Sequence, residues 1–184
     1  MIIGISGAVS TGKTTLALLY SEKKGIRYIS LKDIAEKNAL LKEYDSERDA
    51  YVVDVNELEK AFEEEVSHIE GDIIVESHFL VEQRFTLDLL ILLRVSPIVL
   101  FKRMIERGYS EKKAYENALA EATDYFSINA LKHYPSKIVY ELNLTGKNEE
   151  ESLNLIEKVV KGEAKREYFS FPVELKEIAL MDKY

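Results

Sequence analysis

Residues 1–19, MIIGISGAVSTGKTTLALL, join three pieces in a fixed order: an apolar run from Met1 to Ser6, the spacing G-x-x-x-x-G-K-T from Gly7 to Thr14, and a run of helix formers from Thr15. Strand, glycine loop and helix is the context this spacing requires. A loop wound around an anion turns successive backbone N–H groups inward, and the following helix adds its unpaired N–H groups and positive dipole end. Such a cup holds phosphate.

Each residue type in the cup has a physical reason. Gly7 and Gly12 tolerate backbone angles that a side chain forbids and let phosphate oxygens approach the main chain. Ser10 offers a backbone N–H to the cup. Lys13 is a flexible point charge able to reach the β- and γ-phosphates of a nucleotide, and the Thr14 hydroxyl is placed to ligate Mg²⁺. Thr15 offers a second hydroxyl near the α-phosphate.

The remaining apolar runs supply the sheet that carries this loop. Residues 27–30 (RYIS), 72–77 (DIIVES), 86–95 (TLDLLILLRV) and 137–142 read as further strands, the run at 86–95 being too continuous to have a wet face. Between them the spacing predicts helices over 31–42, from Asp54 to near Gly71, over 97–107, from Ser110 to about His133, and over 149–161. Residues 43–53 carry tyrosines and acids without helical period and read as an irregular crossing. Strands alternating with helices imply a parallel sheet covered on both faces. The expected fold is an α/β P-loop NTPase three-layer sandwich with five parallel strands. At 184 residues it is one domain, 1–162, followed by an extension, 163–184, whose Val173, Ile178, Leu180 and Met181 suggest a short helix docked on the core.

Composition removes several function classes. With no cysteine there are no disulfides, thiolate metal sites or cysteine nucleophiles, and His68, His78 and His133 lack metal-ligand spacing. A net charge of −8 argues against a general nucleic-acid or DNA binder. The longest apolar run, 87–95, is interrupted by Asp88 and ended by Arg94, too short for a membrane span. No basic region precedes the loop as in a signal peptide, so the expected location is cytoplasmic. Residues 43–70 hold eleven acids against Arg48 and Lys60; this is a solvated face or a surface for a basic partner.

In an enzyme built on such a loop, an acid at the end of a nearby strand binds Mg²⁺ directly or through water. Glu76 ends its strand and fits; His78, two residues on, is placed to orient water or phosphate. Residues 102–113, KRMIERGYSEKK, form a basic segment hinged on Gly108. A lid has this make-up, delivering arginines over the nucleotide as it closes. Arg107 is the candidate, supported by Arg103 and Lys112.

The pieces ISGAVSTGKTT, GIRYISLKDIAEK, DVNELEKAFEE, IIVESH, QRF, LLILLR and RGYSEKKAYEN occur in the order of one family. From about residue 1 to 161 the chain resembles the adenylate kinase isoenzyme 6 family, the coilin-interacting nuclear ATPase type with archaeal members. The resemblance implies a monophosphate-binding region at about 30–53 and a lid at about 108–117. It further implies Mg²⁺-dependent transfer between ATP and AMP, ATP hydrolysis, and a role in small ribosomal subunit maturation through transient binding of a basic ribosomal protein. By position, Lys13, Thr14 and Thr15 would hold ATP, Arg107 would be the lid arginine, and Glu76 and His78 would occupy the family's Asp-x-His motif.

Three departures carry consequences. Val9 and Ser10 stand where the family loop has proline and glycine; Glu76 is one methylene longer than the family aspartate; and Glu36 falls on a family arginine of the AMP region. The last repels a monophosphate unless Lys37 or Arg84 compensates. An ATP-gated assembly factor with little kinase activity is therefore the rival reading, and a small-molecule kinase using Glu76 as base is a third.

Overall fold

The computed structural model describes residues 1–45 and 50–181. Five strands, β1 (Ile2–Ser6), β2 (Arg27–Ser30), β5 (Ile73–Glu76), β6 (Leu89–Arg94) and β7 (Val139–Asn143), form one sheet in the order β2-β5-β1-β6-β7. All four pairings are parallel, with Ile5 opposite Glu76 and Ile91, and Arg94 opposite Asn143. β1 is the central strand, so the loop that follows it leaves the middle of the sheet at its carboxyl edge. Ligands bind at that edge in open parallel sheets. The five-stranded α/β sandwich expected from the strand–helix alternation is the fold found.

Helices cover both faces. On one, α1 (Lys13–Lys24) and α7 (Glu149–Val160) bury Leu16, Tyr20 and Ile156 against Ile3, Ile5 and Ile91. On the other, α2 (Leu31–Lys37), α3 (Val55–Ser67) and α6 (Tyr125–His133) bury Ile34, Phe62 and Phe126 against Val75, Leu90 and Leu92. The residues of β6 are buried throughout, as a strand without a wet face must be. No helix among the described residues is long and apolar enough to cross a membrane.

Several boundaries differ from the sequence expectation. The irregular crossing expected over 43–53 is contradicted on the described residues, where β3 (Leu41–Asp45) and β4 (Ala50–Val53) pair antiparallel as a separate two-stranded sheet. Tyr44 lies opposite Tyr51 with the rings edge to face at 5.1 Å, a cross-strand aromatic pair that stabilises a ribbon. The helix predicted over 31–42 stops at Lys37, where the Asn38 side chain donates to the Ile34 carbonyl and Ala39 turns left-handed at φ 55°. The long helix from Ser110 is two helices, α5 (Glu111–Ala122) and α6, broken at Asp124 with φ 57°. Tertiary structure overrides helix propensity there, because the Asp124 carboxylate turns in to meet Arg94 at 2.7 Å.

Other expectations hold. Asp54 caps α3 by accepting from the Asn56 and Glu57 N–H groups; Pro97 opens α4 (Pro97–Glu106); Gly108, at φ 81°, ends its turn. The extension forms α8 (Pro172–Met181), packed on α5 and α4 with Phe171 and Ile178 buried, but Val173 and Leu180, expected on the docked face, are exposed. Residues 46–49 of the expected monophosphate-binding region and 182–184 of the extension lie outside the described residues.

Candidate active site

The loop wraps back on itself through three residues in the left half of backbone space: Gly7 at φ 141°, Ser10 at 65° and Gly12 at 97°. A Cβ on Gly7 would lie 2.5 Å from the Leu93 carbonyl oxygen of β6, so only glycine lets the loop start this close to the neighbouring strand. Ser10 is the one of the three that is not glycine, held in the left-handed region that favours glycine. Gly12 caps α1 without a side chain, and the first turn of α1 holds no acid. The helix therefore keeps its N–H groups and positive end for an anion.

Lys13 opens α1, half-buried, and donates from Nζ to the Ala8 carbonyl at 2.8 Å. Burial pushes its ammonium down to about 8 despite the opposing pull of Glu76 and Glu121. Thr14 and Thr15 follow on the first turn, both exposed at the mouth of the cup. Glu76 ends β5, buried, between Ile5 of β1 and Ser30 of β2. The Tyr28 hydroxyl donates to its Oε1 at 3.3 Å, and burial together with that carboxylate raises the phenol far above its ordinary pKa.

Glu76 and Thr14 offer hard oxygen donors of the kind Mg²⁺ takes, to be completed by phosphate and water oxygens. Among the described residues no group of three or more His, Cys, Asp or Glu is arranged to hold a metal by itself. His78 leaves the strand end in a short 3₁₀ turn, its ring tilted on Phe79 at 4.0 Å. Desolvation of the ring, with the Lys13 charge beside it, holds its imidazole well below the usual pKa.

Arg107 caps the C-terminus of α4 and donates from Nη1 to Ser10 Oγ at 3.3 Å. It and Arg103 overhang a cavity of about 320 Å³ whose floor includes Ser10, Gly12 and Thr15 and whose far wall is Lys147 and Asn148. Lys112, exposed on the first turn of α5, is not among the residues lining it. The structure thus brings together the loop and Arg107, with Arg103 beside them, across 97 residues of sequence from Ser10 to Arg107.

The acceptor side is less complete. Glu36 pairs with Lys32 one helical turn away, at 3.5 Å, and Lys37 turns to Glu65 of α3 at 2.7 Å. Lys37 lines a surface cleft with Arg27, which starts β2 at the opposite edge of the sheet from the loop. It is therefore not placed to offset Glu36, and Arg84, exposed after β5, lines a cleft with Phe85 and Leu87 just ahead of β6 at that same edge, so Lys32 is the cation that meets Glu36.

Four residues near the site escape a motif search. Lys147 and Asn148 follow β7, and the topology alone marks them, since every loop after a parallel strand opens on one edge. Tyr28 shares a face with Glu76 on the neighbouring strand. Arg94 announces itself as a cation in a strand with no wet face, which must meet buried acids.

A central parallel strand running into an anion cup, an acid ending the adjacent strand and a basic hairpin over the cup define a P-loop protein of the small-kinase type. The family model described as AAA domain matches residues 3–124. A Methanosarcina mazei protein named "Putative adenylate kinase" is 34% identical over 175 residues, covering 87% of each chain. The chain belongs to this AAA-domain family and groups with its archaeal members of that name. Among solved structures, shikimate kinase from Bacteroides thetaiotaomicron superposes with a TM-score of 0.56 at 18% identity, covering 88% of this chain and 98% of the other. Deoxyadenosine kinase from M. mycoides, solved with dATP, gives 0.55 at 15% identity over 88% and 100%. At such identities these two speak to the fold alone.

Proposed function

We propose that this protein transfers the γ-phosphoryl group of ATP to AMP in a Mg²⁺-dependent reaction, hydrolysing ATP when no acceptor is bound. The observation that carries the reading is the convergence of Lys13 and Arg107 on one loop, with Glu76 at the adjacent strand end. The transferred group passes through a state with charge spread over its oxygens, so positioning and fixed positive charge supply most of the rate. Loop N–H groups from Gly7 to Thr15 would cradle the phosphates, Lys13 would leave the Ala8 carbonyl for them, and Arg107 would swing from Ser10 onto the group in transit. Thr14 and Glu76 would hold Mg²⁺, which supplies positive charge to offset that of the phosphates. The cavity between Arg103, Arg107 and Lys147 would take the donor nucleoside. We assign residues 30–53 to the monophosphate region, 108–117 to the lid, and His78 to orienting water or phosphate near Glu76.

The name shared by the archaeal relatives supports adenylate transfer, and the isoenzyme 6 motifs support the subtype that acts in small ribosomal subunit maturation, in the cytoplasm, with a basic ribosomal protein as transient partner. A second reading has its own observation. Glu36 is left without the help of Lys37, so AMP meets an acid where the family has an arginine; this favours an ATP-gated assembly factor with ATPase but little kinase activity.

Incubation with ATP, Mg²⁺ and AMP, then with ATP and Mg²⁺ alone, separates the two when ADP and free phosphate are followed independently. With AMP, ADP formed without matching free phosphate is the expected result, and without AMP a slower release of phosphate; phosphate release indifferent to AMP selects the rival. Lys13→Ala is expected to abolish both activities, and its retention of either would overturn the loop assignment.

A further inference from the structure

Arg94 ends β6 fully buried, and its guanidinium is shared among five residues. Nε donates to Glu121 Oε1 of α5 at 2.7 Å, Nη1 to Glu141 Oε2 of β7 at 2.7 Å and to Ser127 of α6, and Nη2 to Asp124 Oδ1 at 2.7 Å and to the Glu121 carbonyl at 3.2 Å. Three carboxylates around one guanidinium exceed charge balance, and such a cluster costs desolvation that packing alone does not explain.

Its fifth partner is the chain beyond Gly162. Arg94 Nη1 donates to the Phe169 carbonyl and Glu141 Oε2 accepts from the Phe169 N–H, both at 3.0 Å, while the Phe171 ring lies over the guanidinium at 5.4 Å. Both main-chain groups of Phe169 are thus held by buried charges, which anchors the extension as firmly as a strand. From Phe171 the chain enters α8, which buries Ile178 and packs across α5 and α4. Those two helices flank the turn at Arg107–Ser110, and the same Arg94 grips the far end of α5 through Glu121 and Asp124. The α4–α5 hairpin is fixed at its base by Arg94 and along its flank by α8.

We propose that Arg94 is a positioning residue and residues 169–181 a strap, which together set the α4–α5 hairpin so that Arg107 is delivered over the loop. This rests on the reading of Arg107 as a phosphoryl-transfer residue. Removing Arg94 would strand the buried Glu121 and Glu141 and unfold the protein, so the test uses Phe171→Ala in the full chain. Phe171→Leu serves as the conservative rescue and the exposed Val173→Ala as control.

Hydrogen exchange of Phe171→Ala without nucleotide is expected to rise about tenfold over residues 107–117 while β1 and α1 keep their protection. In the phosphotransfer assay kcat should fall about tenfold with KM for ATP within about threefold, and Phe171→Leu should restore most of it. Unchanged exchange in the hairpin overturns the strap. A rise spread evenly over the sheet, or a loosened hairpin with unchanged kcat, overturns the positioning role. If the parent protein transfers nothing to AMP, the phosphotransfer reading has failed, and the exchange pattern still decides the strap.

Discussion

At the scale of single residues, Lys13 and Gly7 show how the loop's chemistry and its steric fit are separate demands. With its ammonium held at about 8 in the free protein, Lys13 is charged at neutral pH and largely neutral above pH 9. A bound triphosphate favours the charged form, so the bound-state value lies above the free one. Binding then takes up a proton at pH values between the two, and the affinity for ATP falls as pH rises past 8, by up to about tenfold per unit. Calorimetry of ATP binding at pH 8.5 in two buffers of different ionisation enthalpy should show this uptake. Lys13→Arg, which stays charged, should bind without it. Gly7→Ala tests the steric demand: its Cβ would meet a main-chain oxygen that cannot rotate away, and its φ of 141° is hostile to a side chain. Loss of more than about 2 kcal/mol in urea unfolding is expected, since steric overlap at a special backbone angle belongs to the severe class of substitutions.

At the scale of elements, the ends that face the site are the ones with the most deliberate chemistry. Asn148 caps α7 in a reciprocal box: its side chain accepts from the Glu151 N–H at 2.9 Å, and the Glu151 carboxylate accepts from the Asn148 N–H at 2.8 Å. Asn148→Ala should cost about 1 kcal/mol in thermal or urea unfolding. Because Asn148 also lines the cavity, its loss should weaken ATP binding more than an equal loss of stability elsewhere, and Asp54→Ala, which removes the cap of α3 away from the cavity, should not reproduce that effect. These elements also show what a sequence can and cannot disclose. Strand β2 and the helix starts at Asp54 and Ser110 were legible because local side chains set them within three residues. The β3–β4 ribbon was not, since its tyrosines pair across strands and leave no helical or core period. The break at Asp124 was hidden because its cause, Arg94, is 30 residues away. In the site, the loop, Glu76 and Arg107 stood out through motif spacing, whereas Tyr28, Lys147 and Asn148 are brought in only by strand order.

At the scale of the whole molecule, the question is whether one or two nucleotides are held at the carboxyl edge of the sheet. The cavity assigned to the donor is built from the loop after β1, α1, α4 and the turn after β7, whereas the expected acceptor region follows β2 and β5 on the other side of the same loop. A ligand with two adenosines joined through five phosphates spans both sides, and it closes the α4–α5 hairpin against the loop only if the second side accepts an adenylate. Stabilisation by a ligand specific for the folded state grows as RT ln(1 + [L]/Kd), reaching about 2.7 kcal/mol at a hundred times Kd. If the chain is a monophosphate kinase, this ligand at 100 μM should raise the melting temperature well beyond ATP at the same concentration, and Arg107→Ala should erase most of the difference. If Glu36 bars the second adenylate, the two ligands should shift the melting temperature alike, because the second nucleoside then hangs in solvent and contributes nothing. Thermal shift with and without AMP closes the comparison: AMP alone should stabilise the protein in the first case and leave it unmoved in the second.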